Sequence, residues 1–578
     1  MRRLSPGAPW PAAAVGLCCL AWLALTAGWR PLTMPDEGRY VGVAWEMLRS
    51  GNWTVPTLDG LPFFHKPPLL YWFTAASLAV FGPNEWAARL GPVLAASASA
   101  WGLFLFVRRW VDEASARLSL LVLLTMPMFF IGAQFTNHDM LVAGCIGVTV
   151  VLAAHATLAA EIGQPHRWPL LGAFVFAALG VLAKGLIGFV LPVMMIFTWV
   201  IATRRPKALL HLVWPPGLIA FALVAAPWFV AMQRHFDSFF HYFFVVQHFQ
   251  RFSAGGFNNA QPFFFFVPVV LLLSLPWSVW IYRAVRLSWS RGESAHERAR
   301  RDVRWLMWAW ALVVIVFFSI PQSKLVGYVL PALPPLAFLL ADAVLAGRAG
   351  RPVDGPEPRW LSFLVMGAGV LCVGVAVAAA FFPRNSVKLA ARDALLRMNP
   401  GEPVVMLDRY AYDAAFYLRL AHPAYVVEDW TAARRRGGDN WRMELLDAGD
   451  FDPALAARVL VGADHLPKLL CRPTGTWIIG DSKAESRYPW LARAEAVSGQ
   501  EDVADGTAEP AKTRRGKRAN DLAIWRFSGS PASDPHCLET PTSGSPETLP
   551  PPPSPAPTSE ASRSGPRSSA APARKPIG

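Results

Sequence analysis

The sequence predicts an all-α polytopic membrane protein with a small C-terminal α/β domain and a disordered tail. Three observations predict it. Of 578 residues, 53% are hydrophobic and only 16% charged, where a soluble chain carries about 25% charge. The apolar residues are grouped in runs, and a run of about 18 or more spans a bilayer as a helix. Past residue 383 the texture changes to short Val- and Ile-rich runs, and past 527 to Pro, Ser, Thr and Ala.

The first apolar run, from about Trp10 to Trp29, follows Arg2 and Arg3. No small-residue cleavage site precedes Asp36, so the run reads as a retained first helix and not a signal peptide. A long segment, 30–84, comes next; its Pro-broken run Pro67–Phe81 reads as interfacial or half-spanning. Further runs centre near residues 95, 125, 149, 176, 194, 220, 272, 312, 336 and 371. That makes eleven spans, within a range of about 11–13 transmembrane helices, and residues 1–383 form the membrane domain.

The net charge is +14. Its distribution argues for topology, not for nucleic acid. Arg2, Arg3, Arg108, Arg109, Arg117, Arg167, Arg204, Arg205, Lys207 and the arginine-rich stretch 283–304 fall in alternate loops, which marks those loops as cytoplasmic. With the N-terminus inside and an odd number of spans, segment 30–84 and everything after Pro383 face outward. Cys18, Cys19, Cys145 and Cys372 lie in apolar runs and pack as small hydrophobes. No cysteine spacing suggests a metal site.

The outward C-terminal part divides in two. In 384–527 the runs "PVVMLD" (403–408), "ARVLVG" (457–462) and "TWIIGD" (476–481) read as buried strands, with helical stretches such as "AAFYLRL" between them. This is a small α/β domain. Residues 528–578, with "LPPPPSPAPTSEAS", bury too little apolar surface to offset their ordering entropy and read as a disordered tail.

The same topology gathers polar residues on the outer face. Asp36, Glu37, Arg39, Tyr40, His65 and Lys66 lie in 30–84. Asn137, His138 and Asp139 lie at the outer end of one helix pair and Lys184 at that of another. Gln247, His248 and Arg251 lie in the outer segment 232–261, and Lys324 and Tyr328 at the junction "SIPQSKLVGYVLP". Each has a plainer role available. Arg39 and Lys66 could snorkel to headgroups, Glu37 and Asp139 could serve as N-terminal helix acids, and Tyr328 could belong to an interfacial aromatic belt. Together they are too many ionisable groups for one face of a charge-poor protein, and such groups beside spans mark function. Cations suit phosphate, and a carboxylate can orient or deprotonate a nucleophile. Sugar transfer from a lipid phosphate needs both.

The stretch "DEGRYVGVAWEMLRSGNWTVPTLDGLPFFHKPPLLYWFTAASLAVFGPNEWAARL" closely resembles the first outer loop of the ArnT-like glycosyltransferases, members of the dolichyl-phosphate-mannose protein mannosyltransferase-like superfamily with the GT-C membrane fold. "NHDM", "LAKGLIGFVLP", "QHFQRF" and "SKLVGYVLP" match as well, so the resemblance covers about residues 10–345. It implies a glycosyltransferase in the bacterial inner membrane, working at the periplasmic face as a monomer. The implied donor is a sugar, 4-amino-4-deoxy-L-arabinose first, on undecaprenyl phosphate; the implied acceptor is lipid A. Carried over by motif, Asp36 and Asp139 are the catalytic acids, and Arg39, Lys66, Lys184, Arg251, Lys324 and Tyr328 bind substrate. One step departs from the pattern: the family's "EKP" is "HKP" here, so His65 stands where a metal-binding glutamate is expected. With His248 it would supply two imidazoles for a divalent metal, zinc by donor type. The departure leaves two further readings open, transfer of a mannose-type hexose to a protein or glycan and, from another class, a lipid or polysaccharide transporter. Against the transporter, the charges gather at one face and not at mid-membrane.

Overall fold

The structure is a computed structural model describing residues 10–250, 259–288, 295–347, 359–381, 386–399, 401–470, 475–481, 483–497 and 522–528. The sequence-predicted tail lies outside these residues apart from Ser528. In chain order come α1 (Ala12–Ala24), α2 (Asp36–Ser50), the short antiparallel pair β1 (Thr57–Leu58) and β2 (Leu61–Pro62), α3 (Leu69–Phe81), α4 (Glu85–Trp110), α5 (Glu113–Leu124), α6 (Pro127–Ala133), α7 (His138–Glu161), α8 (Arg167–Lys184) and α9 (Ile187–Ala202). Later helices include Pro215–His235, Ala295–Ser319, Leu333–Ala346 and Arg359–Phe381.

Among the described residues seven helices are long and apolar enough to cross a membrane, and two bent pairs raise the number to nine. Every one of the eleven expected centres falls on or between apolar helices. The first, α1, and the one near 194, α9, are shorter than a full span, and the runs near 125 and 272 are bent by 68° and 109°. Proline causes both bends. Before Pro127 the chain is extended at Met126, outside the helical region, and Pro276 stands in the break of the other run, so one apolar run becomes two helices. The Pro67–Phe81 run forms α3, a short apolar helix.

Helices α4, α5 and α7 start at side-chain caps. Asn84 accepts from Ala87 N, Asp112 from Ser115 N, and Asn137 from Asp139 N. Connectivity puts the starts of α4 and α7 and the end of α8 at one end of the bundle, with the C-terminal part. The far end carries the arginines. There Asp342, on Leu333–Ala346, is 1% exposed and is held by Arg300 at 2.6 Å and Arg304 at 2.5 Å, while Arg300 also reaches Asp112 at 3.0 Å. Such pairing offsets the cost of taking a carboxylate out of water.

The C-terminal part is α/β, as the sequence predicts. Its sheet has the order β5-β4-β3-β6-β8-β7, with β3 (Val404–Leu407), β4 (Tyr425–Val427), β5 (Leu460–Val461), β6 (Thr476–Asp481), β7 (Glu495–Ala496) and β8 (Leu522–Phe527). Strands β5, β4, β3 and β6 are parallel; β8 runs antiparallel to β6, and β7 to β8. The three expected strands are β3, β5 and β6, and "AAFY" is helical.

This part does not stand alone. One buried apolar cluster contains Val43, Met47, Phe63 and Tyr71 from segment 30–84 together with Val404, Met406, Tyr410, Trp477 and Ile524. Gly38 and Gly42, one turn apart on α2, allow the approach. A Cβ at Gly38 would lie 3.1 Å from Asp413 N, and one at Gly42 3.1 Å from Tyr412 O. Polar ties line the same seam: Trp45 Nε1 donates to Leu420 O at 3.0 Å, and Ala424 N donates to Asp59 Oδ1 at 2.9 Å.

Candidate functional site

Asp36 and Glu37 are adjacent on the first turn of α2, yet their surroundings differ completely. Glu37 is fully buried. Its carboxylate accepts from Arg89 Nε at 2.8 Å and Nη2 at 2.9 Å, from Thr33 N at 2.8 Å and Thr136 N at 2.9 Å, and it also pairs with Arg30. Burial opposes its ionisation, but Arg89 and Arg30 outweigh burial and hold the carboxyl well below the usual range. Glu37 therefore joins α2, α4 and the turn before α7, and has no lone pair to spare for substrate. Asp36 keeps 41% of its side chain exposed and meets Arg39 at 3.4 Å. Partial desolvation pushes its carboxyl above the ordinary aspartate range, with Arg39 opposing and Asp139 and Glu37 adding to the rise. An acid with a raised affinity for protons that still faces water is suited to proton transfer.

Asp139 is not the cap of α7, because Asn137 takes that role. Its carboxylate pairs instead with Lys184, the last residue of α8. The Lys184 ammonium also lies over the Tyr328 ring, 4.3 Å from its centroid. Gly327 makes the junction tight, since a Cβ there would collide with the Asp139 carboxylate. Asp139, Lys184 and Tyr328 line one cleft whose remaining wall is apolar, including Val142, Ile146, Leu191 and Phe318. Asp36 feels the charges of both Asp139 and Lys184, so the two acid–cation pairs form one electrostatic unit. Four elements distant in sequence thus meet at this end of the bundle, as the sequence predicts.

Lys66 lies at the turn before α3, half-buried and within electrostatic reach of His138. Lys324 is placed differently. Its ammonium donates to Gln261 O at 2.9 Å and Pro321 O at 2.5 Å, and its own N–H donates to Asn259 O at 3.0 Å. The expectation that it holds substrate gains nothing from this arrangement, in which it joins the stretch 259–261 to Pro321. Arg251 and the side chain of His248 lie outside the described residues. His65 is buried, its ring 4.4 Å from that of Phe63 and 6.0 Å from that of Tyr242. Among the described residues no three His, Cys, Asp or Glu side chains converge.

Two site-forming residues, Arg89 and Glu444, escaped sequence reasoning, and His138, which it placed at this end, has a tie of its own. Arg89 sits inside an apolar span, and a lone cation there is a signal. His138 is 2% exposed and joins its Nδ1 to Ala183 O at 2.7 Å, which ties the start of α7 to the end of α8 beside the Asp139–Lys184 pair. Its ring meets Tyr40 edge-on at 4.6 Å and Tyr71 at 5.4 Å. Glu444, on the helix Trp441–Gly449, pairs with Arg39 at 2.8 Å. Nothing in "NWRMELLDAG" announces that.

Known proteins resemble this chain in sequence and in fold. Residues 65–230 match the family model described as dolichyl-phosphate-mannose-protein mannosyltransferase. The undecaprenyl phosphate-alpha-4-amino-4-deoxy-L-arabinose arabinosyl transferase of Erwinia tasmaniensis is 33% identical over 54% of this chain and 55% of its own length. The protein of the same name from Aeromonas salmonicida is 32% identical over 65% of this chain and 67% of its own. Against the first relatives the match thus spans between about half and two thirds of their length. In fold, the crystal structure of ArnT from Cupriavidus metallidurans bound to undecaprenyl phosphate superposes with a TM-score of 0.72 at 21% identity, covering 90% of this chain and 99% of that one. Its apo form gives 0.67. With this membrane fold, and with a relative 32% identical matched over two thirds of its length, the chain belongs to the ArnT-like family of undecaprenyl phosphate-alpha-4-amino-4-deoxy-L-arabinose arabinosyl transferases.

Proposed function

We propose that the chain is a membrane glycosyltransferase that moves 4-amino-4-deoxy-L-arabinose from undecaprenyl phosphate to lipid A at the periplasmic face of the inner membrane. The observation that carries the reading is the electrostatic unit of Asp36–Arg39 and Asp139–Lys184 at the end of the bundle that bears the C-terminal domain. The donor follows from what the relatives are named for, and lipid A as acceptor from the resemblance of the sequence motifs. In the transfer an acceptor oxygen forms a bond to the anomeric carbon. The bond from that carbon to the carrier phosphate breaks, and its electron pair leaves on the phosphate. Lys66, with Arg251 by motif, binds that phosphate through charge-assisted contacts. Asp36 orients the acceptor and takes its proton when the acceptor is a hydroxyl. An ionised phosphate acceptor needs no base, and Asp36 then acts by position and by stabilising positive charge on the sugar.

Mass spectrometry of lipid A from a deletion strain tests the reading directly: an aminopentose substituent should disappear and return on complementation. Unchanged lipid A would sink it. Separately, Lys66→Ala should weaken donor binding by about 1.5–3 kcal/mol, the worth of one charge-assisted contact. Wild-type donor affinity in that variant would remove Lys66 from the phosphate site.

A second reading, transfer of a mannose-type hexose to a protein or glycan, is favoured by the family model over 65–230 and by His65 at the "HKP" step. Purified protein offered both lipid-linked sugars would separate the two by which one it consumes.

A further inference from the structure

Arg39 is shared between two carboxylates that come from opposite ends of the sequence. It reaches Asp36 at 3.4 Å on its own helix and Glu444 at 2.8 Å on the C-terminal domain. Its guanidinium lies over the Tyr412 ring at 5.0 Å and the Tyr40 ring at 5.7 Å. Tyr412 donates its hydroxyl to Glu444 and so fixes that carboxylate. The side chains of Arg39 and Glu444 are 14% and 11% exposed, whereas that of Asp36 is 41% exposed. The better-buried and shorter of the two pairs is therefore the one with Glu444, and Asp36 receives what remains of the cation. Glycines 38 and 42, which bring α2 against residues 412–413, hold the arrangement in place.

We infer that Glu444 is a positioning residue for Asp36: by drawing Arg39 onto the C-terminal domain it keeps Asp36 from being neutralised by its own helix neighbour, and so sets the pH at which Asp36 takes a proton. The inference rests on the reading of Asp36 given above. The sign follows from Coulomb's law. With Glu444 ionised, the Arg39 guanidinium is held toward the C-terminal domain and the Glu444 carboxylate itself opposes ionisation of Asp36. Without it Arg39 acts fully on Asp36 and favours the ionised form. The other charges facing Asp36 are Glu37 on its own helix and Asp139 and Lys184 from α7 and α8; those facing Glu444 are Arg39, Asp439 and Asp36, with Tyr412 as donor. A substitution at Glu444 leaves Glu37, Asp139 and Lys184 chemically as they are.

The test is a double-mutant cycle on the purified full-length protein. Glu444→Gln should move the acid limb of the turnover–pH profile to lower pH, by about a tenfold change in proton concentration. Arg39→Gln should move it to higher pH. In the Arg39→Gln background the Glu444→Gln shift should shrink to the small direct repulsion between the two carboxylates, because Glu444 acts mainly through Arg39. A merely structural role would lower the amplitude and leave the limb where it is. An unmoved limb in Glu444→Gln, or the same shift in both backgrounds, overturns the inference. If Glu444→Gln fails to fold alone, Arg39→Gln and the double variant still decide: their limbs should lie closer together than those of wild type and Arg39→Gln, and a gap as wide as that one overturns the inference. Infrared titration of the Asp36 carboxyl, assigned as the band lost in Asp36→Asn, gives the same answer without turnover. Wild-type protein inactive on the aminoarabinose donor would therefore count against the proposed function alone.

Discussion

Asp36→Asn should lower turnover by at least about 10²-fold while the protein still folds and binds donor. The substitution keeps size and removes charge from the one acid of the first turn of α2 that faces solvent. The pH dependence supplies a second reading of the same residue. Its carboxyl is raised above the ordinary value of about 3.9 by desolvation, against Arg39. Acting as a base it must be ionised, so turnover should fall as pH drops through a value higher than that of a free aspartate. That limb should vanish in Asp36→Asn. A variant that keeps near-wild-type turnover, or a limb at the position of an ordinary carboxylate, would show that Asp36 is not the acid.

Glu37→Gln should produce the largest loss of stability. It leaves Arg30 and Arg89 buried without their carboxylate, and breaking a buried pair from one side costs about 3–5 kcal/mol. The expected result is a lowered midpoint of thermal unfolding in detergent and less folded protein, with turnover per folded molecule far less affected than in Asp36→Asn. The pH dependence has a definite sign. The folded-state carboxyl lies well below its usual range, so its contribution is fully present above the unfolded value, about 4.3, and is lost as pH falls through the folded value. The stability gap between wild type and Glu37→Gln should accordingly close in acid. A gap that stays constant down to low pH would show that shape, not charge, holds the junction.

These two neighbours show what could be read from sequence and what could not. Apolar runs gave the helices, because burial in lipid imposes a length and a composition on each. Proline gave the bends only in retrospect: a run of the right length hides Pro127 and Pro276 until the chain direction is known. The gathering of Asp36, Lys66, Asp139, Lys184 and Tyr328 followed from parity, since every second loop returns to the same end. The division of labour between Asp36 and Glu37 did not follow, because it depends on Arg89, more than fifty positions away and inside a span. Strand β4 was missed because "YVV" is shorter than a recognisable run, and β7 and β8 because pairing across the sheet, not local pattern, defines them. Glu444 was beyond reach, as its partner lies some four hundred residues earlier.

The apolar cluster that runs from Val43, Phe63 and Tyr71 into the C-terminal sheet has a bearing on how relatives can be recombined. The part after 383 is not a module that can be grafted from one relative to another at a single seam. Its underside is half of a core whose other half is the outer loop, and Arg39 spans the joint. A working chimaera has to carry residues 30–84 and the C-terminal domain from the same parent, with the long helices exchanged around them. Inheritance in this architecture is therefore discontinuous: two stretches at opposite ends of the chain travel as one, and substrate preference written in either is legible only alongside the other.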